Sequence, residues 1–554
     1  MRPMRCTLGT LFCLLFAFGC DGPSASDAGL DGGIDGGSDA GRPYPDSGPV
    51  EEVVFPPMGS ISQPSGAGSF RFGVASAATQ IEDMNTTNDW YVWGAPEPGG
   101  LGNGTFVGDA VRGYTRAVED VALMSALNVD SSRFSVEWAR VEPQRDVISE
   151  EAIAHYGALL DRLVAEGIRP MITVHHFSNP VWVDDPRLVA AGDDCSAGPS
   201  DAHLCGFGHP EGGPLIVEEL REHACLLGER YGDRVDEWAT LNEPVNYMFA
   251  SYGTAIFPPG RSLVLSDFDA FMEVVRDFIA AHAAMYEALH RCDTEDADGD
   301  GVAAEVGLTL SVGDWVPARS GRPSSNPDDV EAAARVRYIY HFLFADAVRD
   351  GMFDADLDGE GEESHPEWAD TLDWLGVQYY FRAGVTARPA ILPGIRATPC
   401  FAPLDQGACI PPQDPTHYIP AMGYEYWAPG LYDILMEYHE RYADLPLTVT
   451  EAGIATEVGR RRAEHVARTL EQIHFARRAG ADVRGYYHWT LMDNFEWAEG
   501  YHPRFGLYRV DRTGEYARVP TEGATLFGEI AGTRRLTIEQ REAYGGLGPM
   551  TPEE

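Results

Sequence analysis

From residue 70 onward, short β-rich runs alternate with longer segments of helical apolar spacing, and this alternation most constrains the fold. The runs are Phe70–Ala75, Ser131–Ser135, Met171–His175, Trp238–Asn242, Val306–Leu310, Trp374–Tyr379, Leu447–Thr450 and Gly485–Trp489. Between them, residues such as Val118, Val121, Leu123 and Leu127, or Leu431, Ile434, Leu435 and Tyr438, recur at helix period. Strands alternating with helices imply parallel pairing, and eight such units predict an α/β fold, a single (β/α)8 TIM barrel with long βα-loop insertions. A doubly wound open sheet is the alternative, but neither GxGxxG nor a P-loop follows any of the runs. A barrel places function at the C-terminal ends of its strands. Gln80, Arg133, His176, Asn242, Glu243, Tyr380, Glu451 and Trp489 all lie at or just beyond those ends.

Glu243 closes the fourth run in Thr-Leu-Asn-Glu-Pro, and Glu451 closes the seventh in Val-Thr-Glu-Ala-Gly. A lone Glu at a strand end is most often a loop residue or a helix-cap partner. Two at matching ends of one barrel fit retaining glycoside cleavage, which uses two carboxyl groups about 5–5.5 Å apart, one ionised and one protonated. The ionised group attacks the anomeric carbon while the other protonates the departing oxygen. The second group then deprotonates the water that releases the sugar.

Six segments, FRFGVASAATQIED, SRFSVEWARVEP, GIRPMITVHHFSNPVWV, DRVDEWATLNEPVNY, LTVTEAGI and GYYHWTLMDNFEWAEGYHPRFGLYRVD, follow in order from about Phe70 to Thr521. Together they resemble glycoside hydrolase family 1, the β-glucosidase-like retaining enzymes. The resemblance implies that Glu243 is the acid/base, Asn242 a ligand of the sugar 2-hydroxyl and Glu451 the nucleophile. It implies that Arg133 and Tyr380 contact that nucleophile, and that Gln80, His176, Glu496 and Trp497 hold the hydroxyls of the non-reducing sugar. Trp489 would lie under the ring, since pyranose binding needs polar groups for hydroxyls and a flat π-face for C–H bonds. The alternative for Trp489 and Trp497 is a role as core aromatics, His175 is the better plain structural histidine, and Arg133 suits a buried ion pair. Three stretches depart from the usual family form. Gln378-Tyr379-Tyr380 stands where Asn-Tyr-Tyr is commoner, Ala452 replaces an Asn, and Phe177-Ser178-Asn179-Pro180 replaces Trp-Asp-Leu-Pro. Relatives that cleave phosphosugars use Ser and Lys where this chain has Glu496 and Trp497, and it contains no lysine at all.

The formal charge of −45 argues against a nucleic-acid partner and favours a neutral carbohydrate over an anionic one. At the N-terminus, Arg2 and Arg5 precede an apolar run from Leu8 to Phe18, the shape of a signal peptide and too short for a membrane span. Ala17-Phe18-Gly19-Cys20 resembles a lipobox with Cys20 as the lipidation site, leaving plain secretory cleavage as the alternative. Export to a cell-envelope, periplasmic or secreted location follows, with a membrane partner only through that lipid. Six cysteines remain beyond this segment: Cys195, Cys205, Cys225, Cys292, Cys400 and Cys409. Cys195/Cys205 and Cys400/Cys409 suggest local loop staples, while Cys225 and Cys292 either pair or stay free.

The catalytic chemistry requires no cofactor. Asp296, Asp298 and Asp300, and again Asp354, Asp356 and Asp358, match the opening of a calcium loop, but Gly307 and His365 fall where its twelfth position needs Glu. Calcium as a structural ion and a solvated loop tip both remain open there. The expected organisation is a signal peptide over 1–20, a Gly/Asp/Ser/Pro-rich linker over 21–60, the hydrolase domain over 61–540 and a tail over 541–554. Two other functions fit the same barrel: a transglycosidase with a sugar or alcohol acceptor, and a non-catalytic sugar-binding protein. The second is disfavoured by the presence of both Glu243 and Glu451.

Overall fold

The computed structural model describes residues 50–390, 394–400 and 406–553. The signal peptide, Cys20 and most of the linker therefore lie outside the described residues. Eight parallel strands close on themselves: β1 (Arg71–Ala75), β2 (Ser131–Ser135), β3 (Arg169–His175), β4 (Glu237–Asn242), β5 (Glu305–Arg319), β6 (Trp374–Thr386), β7 (Leu447–Ala452) and β8 (Val483–Trp489). Each pairs with the next, and β8 returns to β1 through Gly485 opposite Arg71. Val74, Phe134, Ile172, Leu241, Leu308, Val377 and Val449 are all buried, as expected for strands covered on both faces.

The principal helices are α1 (Ala117–Ala126), α2 (Glu150–Ala165), α3 (Gly212–Tyr231), α4 (Phe268–Cys292), α5 (Pro327–His341), α6 (Ala428–Arg441), α7 (Gly459–Arg478) and α8 (Glu522–Thr533). Their starts follow local chemistry. Ser149 accepts from the Ala152 amide at α2, Asp267 from the Ala270 amide at α4, and Asn326 precedes a proline at α5. At the barrel floor, Arg71 and Glu237 form a fully buried ion pair, and Arg169 reaches the same carboxylate at 3.2 Å.

Three expectations are corrected in extent. The linker assigned to 21–60 is too long. Val53 and Val54 pair with Leu536 and Arg535, and Phe55 packs on Phe70 and Phe72 with ring centroids 4.7 and 5.2 Å apart. The polar composition of the preceding stretch hides this short apolar run. β5 and β6 continue past their apolar cores, to Arg319 and Thr386, as a two-stranded extension above the barrel mouth. Part-exposed residues interrupt both strands there, at 380–382 in β6 and at several positions after 313 in β5, so the continuous apolar signal stops before the strand does. The tail boundary at 541 falls inside a helix, Ile538–Tyr544. Beyond it the chain lies along α7, where Arg468 donates to the Gly548 carbonyl at 2.9 Å and Thr551 to Glu464 at 2.6 Å.

All three cysteine pairs form disulfides. Cys195–Cys205 and Cys400–Cys409 close short loops, whereas Cys225–Cys292 joins α3 to the end of α4 across 67 residues. Loop-closure entropy assigns about 4 kcal/mol to a loop of that length and under about 3 kcal/mol to the short staples. Replacing Cys225 and Cys292 by Ser should therefore shift the denaturant midpoint clearly more than replacing Cys195 and Cys205. Equal shifts in the two double variants would contradict this ranking.

Candidate active site

Irregular strand ends aim the key side chains. The β4–β5 register slips between Ala239 and Asn242, and the β6–β7 register slips at Gln378, which sits opposite Glu451. Such bulges re-aim a side chain at the rim of a barrel. Glu243 adopts the left-handed conformation (φ 40°, ψ 57°) and starts a short helix, Pro244–Met248, with proline in its first turn. A non-glycine residue there costs about 1–2 kcal/mol. The Glu243 amide donates to the Thr309 carbonyl at 2.9 Å, which ties this turn to β5.

The two carboxyl groups have different surroundings. Arg133 on β2 donates to Glu451 Oε1 at 2.5 Å, and the Tyr380 hydroxyl donates to Oε2 at 2.7 Å. Burial raises the Glu451 pKa, while Arg133 and Tyr380 act against that rise by stabilising its charge. Glu243 is buried as well, and no arginine among the described residues bonds it. Burial first, then the charge of Glu451, pushes it up to about 8. Of the two, Glu451 is thus the one with partners for a negative charge, and Glu243 the one set up to hold its proton at neutral pH.

Asn242 is locked in one orientation. Its Oδ1 accepts from Arg133 Nη2 at 2.6 Å, Gln378 Nε2 at 2.8 Å and Thr309 Oγ1 at 3.2 Å. With the oxygen saturated, only the Nδ2 hydrogens remain free for a ligand, so Asn242 can only donate. Gln378, the departure from the commoner Asn-Tyr-Tyr, therefore reaches the neighbour of Glu243 rather than the carboxylate of Glu451.

The remaining predicted residues gather at the same mouth. Gln80 Nε2 donates to the Phe495 carbonyl at 2.7 Å and lies 3.3 Å from Glu496 Oε2. The Glu496 carboxyl is pushed up to about 8 by burial and then by Glu451, with the nearby Trp489 indole acting in the opposite sense. His176 lies beside both Trp489 and Trp497, with ring centroids 6.1 and 6.0 Å away and planes inclined by 26°. Burial and the nearby Arg133 hold His176 neutral. Gln80 Oε1, His176 Nδ1 and Gln378 Oε1 are buried with no partner among the described residues. Buried polar atoms are rarely left unpaired, and three around one mouth are suited to hydroxyl groups of a ligand.

His175, by contrast, turns away to Asn179 Oδ1 at 3.1 Å. The departures at Ser178 and Asn179 also face away from the mouth. Ser178 donates to Glu137 at 3.1 Å, and Asn179 donates to the Tyr247 hydroxyl at 2.5 Å, so both brace the loop that carries His176.

The two acidic loops precede β5 and β6 and so lie at the opposite end of the barrel. Oxygens of Asp236, Asp296 and Asp298 fall within 4.8 Å of one another, as do those of Asp354, Asp356, Asp358 and Glu362. Asp298 is paired with Arg169 at 2.6 Å, and both oxygens of Asp354 accept loop amides.

Asn246 and Ser311 have no counterpart among the residues singled out from sequence. Asn246 Nδ2 donates to Glu243 Oε2 at 2.8 Å and to Ser311 Oγ at 3.1 Å. The signal for Asn246 was its position three residues after Glu243. Ser311 lies just past the apolar run of β5.

Comparison with known proteins adds the decisive observation. The model of glycosyl hydrolase family 1 matches residues 65–191 and 203–536. This chain belongs to glycosyl hydrolase family 1. Among relatives of this family 1 chain, a β-galactosidase of Pyrococcus woesei is 28% identical over 85% of this chain and 98% of its own length. β-Glucosidase 30 of Arabidopsis thaliana is 28% identical over 83% of this chain and 80% of its own. A β-glycosidase from Pyrococcus horikoshii superposes with a TM-score of 0.69 at 28% identity, covering 88% of this chain and 98% of that one. A family 1 β-glucosidase from Thermotoga maritima shares the fold, with a TM-score of 0.68 at 24% identity over 86% and 99% of the two chains. The family 1 chain is a glycoside hydrolase on a closed eight-stranded parallel barrel.

Proposed function

We propose that this enzyme hydrolyses terminal β-linked neutral hexosides, with Glu451 as the nucleophile and Glu243 as the acid/base. The observation that carries the reading is the asymmetry between the two carboxyl groups. Glu451 is held by Arg133 and Tyr380, whereas Glu243 faces that negative charge in a buried setting and keeps its proton. Attack by Glu451 on the anomeric carbon breaks the glycosidic bond as Glu243 protonates the departing oxygen. Forming the ester removes the charge of Glu451, which lowers the proton affinity of Glu243. Glu243 then takes a proton from water as that water attacks the ester-linked carbon.

Gln80, His176, Glu496 and Trp497 would bind the sugar hydroxyls, with Trp489 at the ring. Glu496 can accept from an axial or an equatorial 4-hydroxyl, so gluco- and galacto-configured substrates both fit the proposal. No cofactor is needed, because both steps are displacements and proton transfers carried by carboxyl groups. A transglycosidase would use the same ester with an alcohol in place of water. Proton NMR of the first product from a β-glycoside tests the retaining course. The β-anomer should appear first, before mutarotation, and first appearance of the α-anomer would overturn the assignment.

We also propose export, with a lipid on Cys20 as the anchor. The basic and apolar start and the Cys20 context support this, and the three disulfides fit an oxidising compartment.

A further inference from the structure

We infer that Asn246, together with Ser311, is a positioning residue that holds the Glu243 carboxyl by Oε2 and leaves Oε1 to carry the transferred proton. The inference rests on the acid/base reading of Glu243 and deepens it.

The backbone brings these groups together. Glu243 sits in the left-handed region immediately before the helix Pro244–Met248, and Asn246 is three residues on, one turn further along the same face. Asn246 Nδ2 carries two hydrogens and no acceptor, and its two neighbours are Glu243 Oε2 at 2.8 Å and Ser311 Oγ at 3.1 Å. Ser311 therefore accepts from Asn246, which leaves its own hydroxyl hydrogen free to turn toward the nearby Glu243 carboxyl and favour its charged form. The Asn246 amide thus links Glu243 Oε2 to Ser311 with both of its hydrogens engaged.

Two consequences follow for the reaction. With Oε2 occupied by the amide, the proton needed by the leaving group sits on Oε1, and that same oxygen receives the proton from water in the second step. The donors also favour the ionised carboxyl, opposing the upward push from burial and from Glu451. They keep Glu243 acidic enough to release its proton in the first step.

The test compares Asn246→Ala, Asn246→Asp and Ser311→Ala with the parent enzyme. Each is assayed for kcat/KM against pH, on an alkyl β-glucoside and on 2,4-dinitrophenyl β-glucoside. Losing the amide donor should move the basic limb up by about one pH unit in Asn246→Ala, and by less in Ser311→Ala. Asn246→Asp, which replaces a donor by a like charge, should move it further. At pH 6 the alkyl substrate should lose about tenfold in Asn246→Ala, while the dinitrophenyl substrate changes by less than about threefold. A merely structural Asn246 would lower both substrates alike and leave the limb in place. That result in Asn246→Ala and Ser311→Ala, with unfolding midpoints near the parent value, overturns the inference. Glu243→Gln separates the two levels. If it leaves the alkyl-to-dinitrophenyl ratio unchanged, the acid/base assignment itself fails. If it changes the ratio while Asn246 and Ser311 variants do not move the limb, only the positioning role fails.

Discussion

Glu451→Ala is expected to lower kcat on β-glucosides on the order of 10⁵-fold, because no other group can form the ester. Arg133 and Tyr380 converge on this one carboxylate and would remain in place without it. Arg133 would then be a buried cation with its partner removed, a change that costs roughly 3–5 kcal/mol of stability. Activity loss should therefore be read beside a thermal unfolding curve, and Glu451→Gln, which keeps the volume, should be equally inactive with a smaller loss of stability. Azide offers a chemical control. It can enter the space left in Glu451→Ala and attack the anomeric carbon from the same face, displacing the aglycone that Glu243 protonates. The product should be the α-glycosyl azide, and recovery of the β-azide from this variant would place the nucleophile on the other face.

Glu243→Gln should produce a loss that depends on the leaving group. For alkyl or sugar leaving groups, which need a proton, kcat/KM should fall on the order of 10³-fold. For 2,4-dinitrophenyl β-glucoside it should fall by less than about threefold, since that phenolate leaves unprotonated. Its kcat should still drop, because the ester has lost its general base. The pH profile carries the same information. Glu243 must be protonated for the first step, so parent kcat/KM on alkyl substrates should decline as pH rises through about 8. Glutamine cannot titrate, and the variant should lack that basic limb. Equal losses on both substrates, or a limb that survives the substitution, would contradict the acid role.

The barrel was legible because its strands are buried on both faces and read as eight short β-rich runs between helical segments. Each observed strand overlaps one of those runs. Periodicity could not show where β5 and β6 end, since above the mouth part-exposed residues break their apolar runs. Nor could it show that Val53 and Phe55 belong to the folded unit, because their partners, Leu536, Phe70 and Phe72, lie outside any local periodic pattern. In the site, position at a strand end was enough to select Glu243, Glu451, Arg133 and Tyr380. Gln378 was noticed as an unusual residue, but its partner was not foreseen. Its amide reaches across β6, β5 and β4 to Asn242, a geometry that depends on two register slips. Asn246 and Ser311 were missed for a related reason. One lies in an ordinary helical turn and the other beyond an apolar run, and only the left-handed turn at Glu243 brings them onto its carboxyl.

The most direct measurement uses 2,4-dinitrophenyl 2-deoxy-2-fluoro-β-glucoside. Fluorine at C2 destabilises the positively charged transition states of both steps, and the activated leaving group lets the first proceed while the second stalls. After incubation, the intact protein should gain the mass of one fluoroglucosyl group, and peptide mapping should place it on Glu451. An adduct on Glu243, Glu496 or any other side chain, or turnover of the reagent with no adduct, would contradict the account.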